Sequence, residues 1–86
     1  MSVANGAQTL SSSTSTQIVP ADSSRTIVWL YNNDPEAIVY LNVGGSAIIG
    51  YGVRLNPKGG SWSTTNIAAI EGVASYGAPV VTWSSA

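Results

Sequence analysis

The chain has 86 residues, three basic and four acidic, for a net charge of −1, and it contains neither Cys nor His. That composition excludes disulfides, thiolate metal sites and imidazole chemistry. The cations Arg25, Arg54 and Lys58 are scattered, which excludes the phosphate-neutralising face a nucleic-acid partner requires.

At this length one domain with a small core is expected. Only 8% of residues are charged, against roughly 25% in an average soluble domain. Oligomerisation is the stabilising device left open to such a chain, and a Ser/Thr/Asn/Gly surface suits a protein held in an assembly.

Residues 1–16 read as an N-terminal arm. "MSVANGAQTL" has neither a basic nor an apolar signal region, and "TLSSSTST" is too polar to bury its own surface. Such an arm is ordered either by contact with another chain, or as a short local hairpin or a strand added to its own sheet; the first is the reading taken. No apolar run approaches the ~20 residues of a membrane span, so no membrane partner is expected, and the chain is expected to be made in the cytoplasm.

The β pattern begins at Gln17 and fills residues 17–86. "TQIV" is a short strand stopped by Pro20, and "PADSS" is a turn. "RTIVWLYNN" is rich in β-branched and aromatic residues. Its two rows, Ile27/Trp29/Tyr31 and Thr26/Val28/Leu30, contain little polar surface. A strand apolar on both sides is central, or meets another subunit. Trp29, in mid-strand, is expected in the core. "NNDPE" is a turn, and "AIVYLNV" repeats the two-sided pattern.

Next come the glycine-loaded "GGSAIIGYG", the strand "GVRLN", the turn "PKGG", the weaker strands "SWSTTNI" and "AAIEGVAS", the turn "YGAP" and the strand "VVTWSS". No window of normal helix length carries a 3.6-residue apolar period. Turn signals recur roughly every ten residues. The fold expected is all-β: a compact antiparallel sandwich of six to eight short strands, jelly-roll-like, without substantial helix.

Candidate chemistry is sparse. The glycine loop lacks a Walker Lys-Ser/Thr and feeds a strand rather than a helix, so it does not read as a phosphate cradle. Ile48 and Ile49 within it either close one end of the sandwich or form an apolar contact knob. Serines are plentiful but lack an imidazole base. Asp34 and Glu36 flank Pro35 and read as solvated turn acids. "NNDPE" lacks a Ca²⁺-loop pattern. No catalytic residue, metal or cofactor is assigned.

Arg25 and Arg54 read as strand-edge cations, with Asp22 or Glu71 as partner, or as inter-subunit ion pairs. Trp62 and Trp83, among Ser and Thr, are either core residues or exposed anchors for a sugar or a protein. The interface candidates are Val28, Leu30, Val39, Leu41, Ile48, Ile49, Trp62 and Trp83.

The order of segments from Thr16 to Trp83 resembles a class of small tailed-phage virion structural proteins. The matching positions are Gln17, the Arg25-led apolar strand ending in Asn32-Asn33, Tyr40, Gly50, the Gly52-Val53-Arg54-Leu55 strand and Gly59-Gly60. "IAAIEGVAS" and "PVVTW" fit the closing strands; the Ser/Thr arm is a departure. The resemblance implies a non-enzymatic capsid decoration or cement subunit on the virion surface. It would form homotrimers and bind major capsid protein. The alternative is a module of a head or tail fibre that binds a host glycan or receptor; an unrelated bacterial adaptor domain is a third reading.

Overall fold

The computed structural model describes residues 4–86. It contains eight strands: β1 (Ala4–Thr9), β2 (Thr16–Val19), β3 (Val28–Asn32), β4 (Val39–Val43), β5 (Val53–Leu55), β6 (Gly60–Thr64), β7 (Ile70–Ala74) and β8 (Val80–Ser85). All pairings are antiparallel, and no helix occurs among the described residues.

The strands form two four-stranded sheets, ordered β1-β8-β3-β6 and β2-β7-β4-β5. The pairs β1/β8, β2/β7, β3/β6 and β4/β5 nest inside one another, like one long hairpin wrapped on itself. The β3/β8 and β4/β7 pairings complete each sheet. This is the jelly-roll arrangement of an all-β sandwich.

Alternation decides what lies between the sheets. β3 places Val28, Leu30 and Asn32 inside and Trp29 and Tyr31 outside. β4 places Val39 and Leu41 inside. With Leu10, Ile18, Val19, Leu55, Ile70, Ala74 and Val81 they make one core, against which Trp62 and Trp83 pack. Each fully buried Val, Leu or Ile contributes roughly 1.5–3 kcal/mol. In β2 the ladder shifts register between Gln17 and Val19, and this bulge lets the consecutive Ile18 and Val19 both be buried.

Asn32 is a fully buried polar side chain between the sheets. Its Nδ2 donates to the carbonyls of Ala37 (2.8 Å) and Leu55 (3.2 Å). Its Oδ1 accepts from the Asp34 amide at 3.1 Å. A β3 side chain thereby bonds the β5 backbone and ties the two sheets together. Every bond it makes satisfies a group that burial would otherwise penalise.

Three expectations are corrected. Val28, Leu30, Val39 and Leu41 are not interface residues; all four are fully buried in the molecule's own core, because each shares a period-2 row with the other inward aliphatics. Trp29 is not core. It stands in the opposite row and is 36% exposed. The boundary expected at residue 16 also moves: β1 pairs with β8 over Ala4–Thr9, and Leu10 is part of the core. Backbone pairing orders this polar segment, so its own apolar content was a poor guide. The first three residues of the expected arm lie outside the described residues.

Candidate functional site

The connection between β4 and β5, residues 44–52, forms a crest. Its middle folds back onto β2-β7-β4-β5. The Ala47 amide donates to Ser15 Oγ at 2.8 Å, and that hydroxyl donates to Glu71 Oε1 at 2.8 Å. Asn42 Nδ2 donates to the Ser46 carbonyl at 3.0 Å. Ala47 is buried at this anchor. The return to β5 passes through Gly52 at φ 81°, where a Cβ would collide with the Leu41 carbonyl oxygen. Only glycine closes the crest at that point.

Anchoring the base turns the tip outward. Ile48, Ile49 and Tyr51 are 61%, 45% and 72% exposed. Of the two readings of Ile48 and Ile49, the exposed knob is the one observed. Tyr51 belongs to it, although sequence reasoning did not single it out. Beneath the tip lies a small cavity of about 110 Å³ lined by Asn42, Ser46, Ile48, Tyr51 and Gly52.

The outer face of β1-β8-β3-β6 is a second feature. Strand register sets Asn5, Ser84, Trp29 and Ser63 in one row, and Ala7, Thr82, Tyr31 and Ser61 in the next. The aromatics stand at the centre with hydroxyl and amide groups beside them. Trp29, Tyr31, Ser61, Trp62 and Ser63 line a shallow groove of about 320 Å³. No charged side chain lies on any strand of this sheet; Arg54 and Glu71, the strand-borne charges, belong to the other. Trp62 and Trp83 face inward, partly buried against the core, and Trp62 reaches the groove only from the edge strand β6.

Arg25, Asp34 and Asp22 are tied to backbone. Arg25 is buried. Its Nη1 donates to the Pro20 carbonyl (3.1 Å), and its Nη2 to those of Asn66 (2.6 Å) and Ala68 (2.9 Å). It is thus neither a solvated edge cation nor an inter-subunit ion pair. It clamps the β2–β3 connection to the β6–β7 connection. Sequence reasoning missed this because backbone carbonyls leave no trace in residue identity.

Asp34 Oδ2 accepts from the amides of Ala37 (2.6 Å) and Glu36 (3.0 Å), which hold its carboxyl below the usual range. The hydroxyl and amide of Ser24 do the same for Asp22. The Tyr76 hydroxyl donates to Glu36 Oε2 at 3.0 Å and is raised above its ordinary value by that bond. These acids organise turns. Among the described residues, no three of His, Cys, Asp and Glu group together as a metal site would.

Compared with known proteins, the chain matches no family model, no curated protein and no solved structure. Two features make up the site: an anchored apolar crest on one sheet and an aromatic groove on strands without charge on the other.

Proposed function

We propose that the protein is a non-enzymatic structural subunit of a virion, a capsid decoration or cement protein of the tailed-phage type that its sequence resembles. The observation that carries this reading is the crest. Ile48, Ile49 and Tyr51 are held into solvent by hydrogen bonds at the base of their own loop. A preorganised apolar tip loses little conformational entropy on docking. In this role it seats in an apolar recess of major capsid protein.

Self-association as a homotrimer is part of the proposal. Because Val28, Leu30, Val39 and Leu41 are internal, sister copies meet through outer surfaces. The β1 and β6 edges are suited to this. They carry neither charge nor proline, the two devices that commonly keep sheet edges apart. The opposite sheet ends in β2, followed by Pro20, and in the three-residue β5 with Arg54. Trimeric display multiplies a modest crest contact through effective concentration.

The test combines sedimentation velocity with occupancy on phage heads stripped of the subunit. The expected result is a trimer that re-decorates heads, and a variant carrying Ile48→Ser, Ile49→Ser and Tyr51→Ser that melts as the parent does yet fails to re-attach. Unchanged occupancy by that variant removes the crest as the clamp. A monodisperse monomer at tens of micromolar removes the trimer.

A further inference from the structure

We infer that the outer face of β1-β8-β3-β6 is a binding site for a neutral saccharide, with Trp29 and Tyr31 as its stacking platform. Trp29 and Tyr31 are 36% and 38% exposed. They alternate with the inward Val28 and Leu30 on a central strand, so both project from one face, about 7 Å apart along the strand. Core packing on the inner side fixes that strand, so the platform forms without a ligand.

The chemistry beside the platform selects the ligand class. Cross-strand register puts Ser63 and Ser84 on either side of Trp29, and Ser61 and Thr82 on either side of Tyr31. A pyranose ring has an apolar C–H face and a rim of hydroxyls. The face stacks on an aromatic ring while the rim exchanges hydrogen bonds with short hydroxyl side chains. The groove's volume of about 320 Å³ lies at the lower end for small-molecule sites. It suits one or two sugar units lying across the strands.

Charge disfavours anionic ligands. With no charged side chain on β1, β8, β3 or β6, a phosphate, sulfate or carboxylate would find no counter-charge on the strands that form this face. A neutral saccharide gives up no ionic hydration on binding. The groove and the crest lie on different sheets, so this inference does not rest on the crest reading.

The test is calorimetric titration of the intact chain with uncharged tetrasaccharides of glucose, galactose and N-acetylglucosamine, and with a sulfated tetrasaccharide as the charged comparison. Binding of at least one uncharged tetrasaccharide is expected. Trp29→Ala and, independently, Tyr31→Ala should weaken it at least about tenfold while unfolding stays cooperative. Neither side chain belongs to the core between the sheets, so the fold survives their truncation at some cost in stability. Four outcomes overturn the inference, the first three being that no uncharged saccharide binds at millimolar concentration, that binding is indifferent to both truncations, and that the sulfated ligand is preferred. A fourth is dissociation of an oligomer by Trp29→Ala, which would make the groove a contact between copies. Failure to re-decorate heads tests the crest separately, because neither truncation touches it.

Discussion

The indole of Trp83 lies over Gly6 across the β1–β8 pair. A Cβ added at Gly6 would come within 2.6 Å of Trp83 Cε2 and 2.8 Å of Cζ2. Gly6 and Trp83 are register partners, so a small residue on the edge strand makes room for the largest side chain on its neighbour. Gly6→Ala is expected to displace the indole and cost about 1–3 kcal/mol, as overpacking does. Urea unfolding measures this, and pairing Gly6→Ala with Trp83→Leu should recover part of the loss. Additive losses in the double variant would contradict the packing account.

Deleting residues 2–13 removes β1 and Leu10 together. The β8 edge loses its ladder partner along Ala4–Thr9, and the core loses a fully buried leucine, a loss in the range of 2–5 kcal/mol for truncation to Ala alone. Loss of cooperative thermal unfolding is expected. A truncated chain that melts sharply at the parental temperature would show that the segment is a dispensable arm after all.

Arg25→Met keeps the stem but deletes three charge-assisted bonds to the carbonyls of Pro20, Asn66 and Ala68. Stability should fall by roughly 3 kcal/mol, since three part-buried carbonyls lose charged donors. Amide hydrogen exchange should accelerate first at the Asp22 amide, which donates to the Ile67 carbonyl between the same two connections. If protection there is unaltered, the guanidinium is not what joins them.

The pH dependence has two limbs. Asp34 and Asp22 have carboxyls lowered by hydrogen bonds in the folded state. Their contribution is complete above the unfolded value of about 3.9 and is lost as pH falls through the lower folded values. Tyr76 is raised by its bond to Glu36. Its contribution is complete below the unfolded value of about 10 and is lost as pH rises through the higher folded value. Melting temperature measured from pH 2 to pH 12 should decline at both ends. Asp34→Asn should flatten the acid limb, and Tyr76→Phe the alkaline one. Because these groups are exposed to solvent, both effects should be small. An acid limb unchanged in Asp34→Asn would assign it elsewhere.

Much of the architecture was legible in the residues. "TQIV" and "VVTWSS" coincide with β2 and β8, since β-branched and aromatic runs bounded by Pro and Gly carry a local signal. β1 was hidden: "ANGAQT" has no apolar row, and only its partner gives it strand geometry. The two rows of β3 were visible as rows. Their residue types also held a clue, because Val and Leu are fully buried more often than Trp and Tyr. The exposed groove could have been suspected from that contrast.

The sequence by itself determined an all-β chain, the positions of its turns and the scarcity of charge, because period-2 alternation, Gly/Pro punctuation and ionisable side chains are local properties. Tertiary structure decided which row of each strand faced inward, which sheet was left without charge, that Arg25 would be buried among carbonyls and that Ile48, Ile49 and Tyr51 would stand out from an anchored loop. Those outcomes depend on which strands become neighbours, and pairing between residues as distant as Asn5 and Ser84 is fixed only when the whole core closes.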